Sequence, residues 1–417
     1  ARAAGRLKDT VKYLMVPGKW FEELGFTYIG PVNGHNLEEL IPMLNNARKL
    51  KGPVLIHTIT EKGRGYEPAR QNPDIFHGVG PFDISTGKQF PRAFKTYTEI
   101  FGEYMVEAAR ADQRVVAITA AMASGTGLSE FSKAYPERFF DVGICEQHAV
   151  TLAAGMARAG LRPVVSIYST FLQRAYDQII HDVALQNLPV VFAIDRAGLV
   201  GEDGPTHHGV FDISYLRHIP NLTIMAPGDE NEFMNMLHTA LALNSPVAIR
   251  YPRGAGEGME IAAHAQIIPS GKARILRSGG ALAIIALGRA VSIGREVAQM
   301  LAEKGVEAEL VDARFVKPLD EALLCELGGR FHRIVTLEDS VLAGGFGSAV
   351  LEVLGDHGVK CDLLRMGIPD EFIEQGRIDI LFDLVNMDPE SITESILSRW
   401  PELVNQRLLE LRKIGQN

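Results

Sequence analysis

The sequence predicts an α/β protein in which parallel sheets are covered by helices on both faces. From about residue 91 onward, short runs rich in β-branched residues alternate with amphipathic runs. The strand-like runs are continuously apolar, as in VVAITAA at 115–121, which is typical of strands buried on both faces. Strand and helix follow one another without hairpin signals, and this order favours parallel pairing.

The elements of this first series are predicted from their apolar runs and end signals. The helix at 146–160 ends at Gly160, and the helix at 229–243 has an acidic first turn that suits the helix dipole. A further helix is predicted at 171–187. Strands are predicted at 115–121, 162–170, 189–196, 222–227 and 246–253.

A Gly-containing stretch at 251–266 predicts a linker, and a second αβ series follows it. Its predicted strands are 281–288, 307–315, 332–339 and 360–367, and its predicted helices are 290–305 and 344–358. The glycines that lead the helix at 344–358 are interpreted as packing against a sheet, with an anion site as the alternative. Before residue 90 the sequence predicts one strand, at 52–60, followed by a Gly- and Pro-rich stretch.

Composition and charge exclude several classes of protein. Of the 417 residues, 46% are hydrophobic and 22% charged, which is typical of a soluble globular protein. The net charge is −9 with acids and bases intermixed, which does not indicate a nucleic-acid surface or a membrane partner. The three cysteines, without CxxC spacing, favour neither a disulfide framework nor a zinc site and fit a reducing cytoplasm.

Ligands of such folds bind at the carboxyl ends of the strands, so polar strand-to-helix junctions are the candidate site. Glu146, in DVGICEQHAV, lies where a strand-like run passes into a helix-like run. One interpretation is an acid in the first helical turn that the dipole stabilises. The other is a buried carboxylate that hydrogen-bonds a ligand nitrogen.

The next junction, YSTFLQRAYDQIIHDVA, spaces an aromatic ring, a base and an acid at helical intervals. Phe171 suits either the core or one face of a flat bound ring. Arg174 and Asp177 lie one turn apart, which is compatible with a surface ion pair of little energetic value. His181 is interpreted as structural.

A long Gly-rich connection at 194–212 contains Arg196, Asp203, His207 and His208. Connections of this kind after buried strands are usually functional, with a solvated loop as the alternative. Arg196 and Arg253 both follow strands and form a candidate phosphate clamp, because guanidinium groups bind anions bidentately. Asp312 and Arg314 are expected at a strand end or an interface.

A fourth polar stretch, TEKGRGYEPARQNPDIFHG, places Lys62, Arg64 and His77 among glycines. Exposed amides beside a cation make a candidate anion site, with a solvated turn as the alternative.

Together these motifs resemble the 1-deoxy-D-xylulose-5-phosphate synthase family of transketolase-like thiamine diphosphate enzymes. The stretches that carry the resemblance run in order along the whole chain: KGRGYEPA, DVGICEQHAV, YSTFLQRAYDQ, AIDRAGLVGEDGPTHHGVFDISYLR and VDARFVKPLD. The resemblance implies transketolase-like domains. These are the C-terminal part of a diphosphate-binding domain at 1–90, a pyrimidine-binding domain at 91–255, a linker at 256–270 and a C-terminal domain at 271–417.

The resemblance also implies roles for the polar junctions. Glu146 would hydrogen-bond the aminopyrimidine ring of the cofactor, Phe171 would stack on that ring and Arg174 would brace the same wall. Arg196 and Arg253 would hold the acceptor phosphate. The remaining implied roles are substrate contact and proton management for Tyr168, Asp203 and His207, and proximity to the cofactor diphosphate for Lys62 and His77.

The implied reaction condenses pyruvate with D-glyceraldehyde 3-phosphate, releases carbon dioxide and gives 1-deoxy-D-xylulose 5-phosphate. Thiamine diphosphate and Mg²⁺ are the implied cofactors, and a homodimer is the implied assembly. The alternatives are a transketolase, the pyrimidine-binding subunit of a 2-oxoacid dehydrogenase, or an inactive assembly or regulatory remnant. Acceptor choice distinguishes the enzymes, and cofactor binding distinguishes an enzyme from a remnant.

The sequence departs from the family pattern in several places. THHG replaces THQG at 206–209, and Cys145 stands where a small residue such as Ala is common. The GDG motif and the following Asn, which hold magnesium and the diphosphate, are absent, as are the N-terminal histidines. We therefore expect the chain to be part of a longer protein, and to bind cofactor weakly and turn over poorly by itself.

Overall fold

The structure is a computed structural model that describes residues 18–73 and 75–404. The chain divides after Pro91 into two compact units. In the first unit, the parallel strands β1 (Thr27–Asn33) and β2 (Val54–Ile59) pair with each other. The short helix α1 (Lys19–Glu23), the longer α2 (Leu37–Ala47), α3 (Glu67–Gln71) and a 3₁₀ turn (Ile75–His77) complete it.

The prediction of a single strand before residue 90 was wrong, because β1 was missed. Its sequence, TYIGPVN, contains Gly30 and Pro31, which in a sequence are signals of a break. The strand pairs with β2 on both sides of that dipeptide, and its register shifts between Ile29 and Val32. An irregular strand of this kind keeps its pairing because the partner strand supplies hydrogen bonds on either side of the interruption.

The second unit contains two sheets. Its strands are β3 (Val115–Thr119), β4 (Phe139–Asp141), β5 (Arg162–Tyr168), β6 (Val191–Ala197), β7 (Thr223–Met225), β8 (Val247–Pro252), β9 (Arg274–Arg277), β10 (Leu282–Ala286), β11 (Ala308–Asp312), β12 (Phe315–Lys317), β13 (Arg333–Val341) and β14 (Asp362–Ile368). The seven-stranded sheet has the order β12-β7-β8-β6-β5-β3-β4, and the five-stranded sheet has the order β14-β13-β10-β11-β9.

Helices cover these sheets. They are α4 (Tyr97–Ala111), α5 (Ser129–Ala134), α6 (Glu146–Arg158), α7 (Ser169–Leu172), α8 (Tyr176–Gln178), α9 (Asp212–Leu216), α10 (Glu230–Ala242), α11 (Ala290–Glu303), α12 (Glu321–Phe331), α13 (Phe346–Asp356), α14 (Ile378–Leu384) and α15 (Pro389–Arg399). Every residue of β3, β8, β10 and β11 is buried, as the uncharged apolar runs of β3 and β10 predicted.

Three details differ from the sequence prediction. The sheets are not wholly parallel, because β9 and β12 pair antiparallel at their edges. The single strand predicted at 307–315 divides into β11 and β12, since the chain turns at Arg314, which has a φ of 58°. The helix predicted at 171–187 is interrupted by a 3₁₀ turn (Gln173–Ala175) and a π-helical turn (Ile179–Ala184). Such π turns often lie at functional sites.

The glycine-led helix α13 begins on one of the protein's own carboxylates. Glu338 accepts hydrogen bonds from the amides of Phe346 (2.6 Å) and Gly347 (2.7 Å). A Cβ atom on Gly347 would lie 2.6 Å from Thr336 Oγ1, so glycine permits close packing on β13. This agrees with the packing interpretation, and the first amides of the helix are already satisfied.

A buried charge cluster joins the two sheets. Asp229 and Glu232, in the first turn of α10, form ion pairs with Arg274 of β9 at 3.1 and 3.0 Å. Arg314 pairs with Glu232 at 2.7 Å, and Asp312 lies 3.5 Å from Arg274. Asp312 and Arg314 therefore lie at both a strand end and an interface, as expected. Burial and, to a smaller extent, the neighbouring Glu232 raise the pKa of Asp312 to about 7, against the opposing effect of Arg274.

This pKa makes stability depend on pH. Between 3.8 and about 7, folded Asp312 binds a proton that the unfolded chain has lost, so stability falls as pH rises through that window. Asp312→Asn mimics the protonated acid, and we expect it to remove part of the fall. Between pH 5 and 8 the free energy of unfolding of the wild type should fall on the order of 2 kcal/mol more than that of the variant. Urea unfolding at several pH values measures it, with the exposed Asp356→Asn as control. A variant that keeps the wild-type slope would contradict this prediction.

Candidate active site

Glu146 lies at the beginning of α6, in the turn that follows β4. Asp141 shapes that turn by accepting hydrogen bonds from the amides of Ala121 (2.7 Å) and Gly143 (3.0 Å). Glu146 is 3% exposed, and its Oε1 accepts a hydrogen bond from Arg174 Nη1 at 2.9 Å. Within the described part of the chain, Oε2 has no hydrogen-bond partner. A buried carboxylate with one free oxygen is a ready acceptor for a donor that enters the site.

Aromatic rings adjoin this carboxylate. Tyr168, at the carboxyl end of β5, stacks on Phe171 with centroids 5.7 Å apart and planes 15° apart. The ring of His207 meets Phe171 edge-on at 5.3 Å. The Arg174 guanidinium lies 5.6 Å from the centroid of Phe171. Glu146, Arg174, Phe171, Tyr168 and His207 are therefore linked by successive contacts, although they come from three separate stretches of sequence.

Arg196 lies at the carboxyl end of β6 and forms the next wall. Its guanidinium is 4.0 Å from the centroid of Tyr168, pairs with Asp195 at 2.9 Å and donates to the Gly125 carbonyl at 2.7 Å. The backbone φ of Arg196 is 60°, an uncommon value for a residue with a side chain. Burial raises the pKa of Tyr168 to about 12 and outweighs the opposing effect of Arg196, so the phenol stays protonated at neutral pH.

Arg253 lies at the end of the neighbouring strand, β8, beside the loop at 198–209. Its Nη1 donates to Asp203 Oδ2 (2.8 Å) and to the carbonyl of Val200 (2.9 Å). Like Arg196, it acts electrostatically on Tyr168. The two arginines thus act electrostatically on the same tyrosine from the ends of two neighbouring strands. Arg196 is paired with Asp195, and Arg253 is paired with Asp203 at 2.8 Å and lies 3.7 Å from Glu202, so carboxylates orient both guanidinium groups.

The two adjacent histidines of this loop have different surroundings. His207 Nδ1 is hydrogen-bonded to Thr206 Oγ1 at 2.8 Å, and its ring contacts Phe171. His208 is 4% exposed and is turned the other way, with Nδ1 accepting from the amide of Val200 at 3.1 Å. Only His207 therefore faces the aromatic wall.

Three other candidates from the sequence have partners of their own. Lys62 and His77 are exposed residues of the first unit and are hydrogen-bonded to each other at 2.9 Å. His181 is exposed and pairs with Asp182 at 3.0 Å. Of the two interpretations of Arg174, the surface pair with Asp177 does not describe it, because Arg174 bonds Glu146 at 2.9 Å.

The sequence interpretation missed three buried residues that support the site. Asp195 is fully buried beneath Arg196 and accepts a hydrogen bond from Thr98 at 2.9 Å; burial raises its pKa. Arg250 and Asp212 form a buried pair at 3.1 Å. The signal for Arg250 was available, because a charge in the middle of an apolar strand run requires a partner. The partners themselves are distant in sequence, and no local pattern reveals them.

Two further observations concern metals and membranes. Among residues 18–73 and 75–404, no three His, Cys, Asp or Glu side chains are grouped as metal ligands. None of the described helices combines the length and apolar character that crossing a bilayer requires.

Three family models match the chain. The transketolase pyrimidine-binding domain matches residues 95–258, and the transketolase C-terminal domain matches residues 271–392. The 1-deoxy-D-xylulose-5-phosphate synthase model matches residues 1–60.

Solved structures support the fold. The inactive β4 tetramer of a split-gene transketolase aligns with a TM-score of 0.65 at 28% identity, covering 73% of this chain and 98% of that one. A transketolase from Campylobacter jejuni aligns with a TM-score of 0.63 at 19% identity, covering 91% and 68%. These alignments confirm the predicted transketolase-like α/β fold.

Curated relatives extend along nearly the whole chain. The 1-deoxy-D-xylulose-5-phosphate synthase of Syntrophomonas wolfei is 66% identical over 100% of this chain and 66% of its own length. The synthase of Pelotomaculum thermopropionicum is 54% identical over 98% of this chain and 65% of its own length. The chain thus spans slightly less than two thirds of these relatives. The resemblance seen in the motifs is confirmed, and the chain belongs to the 1-deoxy-D-xylulose-5-phosphate synthase family.

Proposed function

We propose that this chain serves the thiamine-diphosphate-dependent condensation of pyruvate with D-glyceraldehyde 3-phosphate. The products are carbon dioxide and 1-deoxy-D-xylulose 5-phosphate, a precursor for isoprenoids, thiamine and pyridoxal. The observation that carries the proposal is the chain of contacts from buried Glu146 through Arg174, Phe171 and Tyr168 to Arg196. Relatives named for this activity, at 66% and 54% identity, favour it over a transketolase, a 2-oxoacid dehydrogenase subunit or an inactive remnant.

The residues present fit the pyrimidine end of thiamine diphosphate. Glu146 offers a desolvated carboxylate oxygen to a ring nitrogen, and Phe171 offers a partly exposed face for stacking. Arg174 holds the carboxylate in place from its other oxygen. Decarboxylation of a 2-oxo acid requires a stabilised carbanion, and the bound cofactor supplies that stabilisation. The protein orients the cofactor and sets the polarity around it.

We assign Arg196 and Arg253 to the phosphate of the acceptor aldehyde. Both guanidinium groups are preorganised by carboxylates, Asp195 and Asp203, so little side-chain entropy is lost when an anion binds. The two arginines end adjacent strands and border Tyr168 together. A dianionic phosphate between them would replace water with charge-assisted hydrogen bonds.

Tyr168, His207 and Asp203 are assigned to substrate contact and proton management. The neutral phenol of Tyr168 donates a hydrogen bond at neutral pH, because burial holds its pKa near 12. His207 presents its imidazole ring beside the aromatic wall, and imidazole is the side chain that most often transfers protons in catalysis. Asp203 orients Arg253 by accepting a hydrogen bond from its Nη1 at 2.8 Å.

The rest of the proposal concerns the first unit and the metal. Lys62 and His77 are assigned to the side of the cofactor diphosphate, and their mutual hydrogen bond keeps them together. Mg²⁺ is proposed to accompany the diphosphate, with ligands outside the described residues. We also propose the domain limits 1–90, 91–255, 256–270 and 271–417.

A homodimer is proposed as the working assembly, and a cytoplasmic location accompanies it. Ile144, two residues before Glu146, is 80% exposed, and Leu185 after the π-helical turn is 71% exposed. Large apolar side chains this exposed beside a site favour an interface with another copy. Cys145, Cys325 and Cys361 are free thiols, which suits a reducing compartment.

Replacing Glu146 by Gln tests the cofactor assignment. Glutamine keeps the size of the side chain and loses the charge that orders Arg174 and accepts from the cofactor. Turnover should fall by at least about 100-fold, in the range for loss of a proton-transfer group. The rise in melting temperature on adding thiamine diphosphate and Mg²⁺ should also shrink. Exposed Glu137→Gln is the control, and a Glu146→Gln variant with wild-type turnover would refute the assignment.

Replacing Arg253 by Ala tests the phosphate assignment. The ratio of kcat/KM for D-glyceraldehyde 3-phosphate over that for unphosphorylated D-glyceraldehyde should fall about 10- to 100-fold, the value of one charged hydrogen bond. Arg253→Lys should recover part of the ratio, because it restores charge without the planar fork. Exposed Arg158→Ala is the control. An equal loss with both aldehydes would show that Arg253 does not recognise the phosphate.

Replacing Ile144 by Asp tests the assembly. A charge at the proposed interface should shift the protein to the mass of one chain in sedimentation experiments at micromolar concentration. Exposed Ile84→Asp, in the first unit, is the control. An unchanged mass would place the interface elsewhere.

A further inference from the structure

The loop at 198–209 is anchored on the segment at 369–377, which follows β14. The ends of the loop close on each other, with reciprocal amide-to-carbonyl hydrogen bonds of 2.8 Å between Gly198 and Gly209. Next to these ends, buried Leu199 and Val210 belong to the same apolar cluster as Ile373. The loop that carries Asp203 and His207 is thus rooted in the core around the five-stranded sheet.

Backbone contacts continue this attachment along the loop. The amide of Gly376 lies 3.4 Å from the carbonyl of Gly201. Gly204 has a φ of +73°, and a Cβ atom there would lie 3.0 Å from the Cβ of Gln375. Glycine at 204 therefore permits both the turn and the close approach of the segment.

The side chain of His208 bridges the loop at 198–209 and the segment at 369–377. Its Nδ1 accepts a hydrogen bond from the amide of Val200 (3.1 Å), and its Nε2 lies 3.3 Å from the carbonyl of Glu374. Nδ1 must accept from an amide and Nε2 faces a carbonyl oxygen, which needs a donor. The proton of the neutral ring therefore lies on Nε2. The ring is 4% exposed, so water does not substitute easily for either partner.

Val200 connects this bridge to the site. Its amide is held by His208, and its carbonyl accepts from Arg253 Nη1 at 2.9 Å. The same Nη1 donates to Asp203. A movement of Val200 would therefore displace the guanidinium assigned to the phosphate, together with the carboxylate that orients it.

We propose that His208 is a positioning residue through which the segment at 369–377 holds the loop at 198–209, and with it Arg253, in the arrangement that binds the acceptor phosphate. This inference rests on the proposed function. Under this proposal the region of the five-stranded sheet helps to position the active site, in addition to packing against the rest of the protein. His208 touches neither reacting atoms nor cofactor, and it acts through the peptide group of Val200.

The bridge is sensitive to protonation. Burial lowers the pKa of His208, and the neighbouring charge of His207 lowers it too, whereas the backbone carbonyls of Glu374 and Ile373 and the carboxylate of Asp203 oppose this. In the unfolded chain the ring gains its proton near the ordinary value of 6.5. The contribution of the bridge to stability is therefore present above that pH and is lost as pH falls below it. A protonated Nδ1 cannot accept from Val200.

The test combines two readouts on wild type, His208→Ala and His208→Gln, with exposed His238→Ala as the matched control. The first is hydrogen exchange at the amide of Val200 and its loop neighbours. The second is the KM for D-glyceraldehyde 3-phosphate against the KM for pyruvate. His208→Ala should speed exchange at Val200 at least about tenfold and raise the KM for the phosphorylated aldehyde by a similar factor, with a smaller change for pyruvate. Glutamine offers an acceptor and a donor on one planar group, so His208→Gln should restore both.

The pH profile separates positioning from general stability. Exchange at Val200 should accelerate in wild type as pH falls from 7 toward 5, relative to intrinsic exchange, and should stay flat in His208→Gln. Unchanged exchange in His208→Ala, or a Gln variant no better than Ala, would overturn the proposal. If the Ala variant does not fold, an identical pH profile in wild type and His208→Gln overturns it. If wild type that has bound thiamine diphosphate forms no deoxyxylulose phosphate, the proposed function fails, while the exchange experiment still decides the role of His208.

Discussion

The structure depends on one buried guanidinium. Arg250, in the middle of β8, is 2% exposed and is held by Asp212 from α9 and Asp339 from β13. Asp212 belongs to the region of the seven-stranded sheet and Asp339 to the five-stranded sheet, so the ion pairs of Arg250 join the two sheets. Removing one partner of a buried ion pair typically costs about 3–5 kcal/mol, because the remaining charge is left uncompensated.

The same charge lies directly beneath the site. Asp212 also accepts a hydrogen bond from Ser169, the residue after Tyr168, at 3.0 Å. Asp339 lies so close to Gly198 that a Cβ atom there would fall 2.3 Å from its Oδ2. The beginning of the aromatic wall and the start of the loop at 198–209 therefore rest on the two acids that neutralise Arg250. The contact between the two sheets and the candidate site therefore depend on the same ion pairs of Arg250.

The sequence predicted much of this arrangement. The alternation of apolar runs and amphipathic helices correctly predicted the strands β3, β5 to β8, β10, β13 and β14, because strands buried on both faces must be apolar throughout. Glu146, Phe171 and Arg174 were correctly placed at strand-to-helix junctions, and they meet although β3 lies between β4 and β5, since parallel strands bring their carboxyl ends to one edge.

What the sequence did not reveal depends on distant partners. Asp195 and Asp212 are acids in otherwise ordinary contexts, and only the fold shows that arginines lie against them. The π-helical turn at Ile179–Ala184 has no local sequence rule, and β12 was missed as a separate strand because its pairing partner lies some ninety residues earlier. Packing energy determines which distant strands pair, and the hydrophobic periodicity of the sequence carries no information about that choice.

The position of β12 has a consequence for synthesis on the ribosome. Phe315 pairs with Met225 and is fully buried among side chains of the seven-stranded sheet, although it belongs to the second αβ series. Until that segment emerges, the edge of β7 and the apolar surface around Met225 stay uncovered in the nascent chain. Exposed edges and apolar surface are where newly made chains aggregate. The seven-stranded sheet therefore stays incomplete until β12, its last strand in sequence, has been made, and chaperones are most needed during this interval.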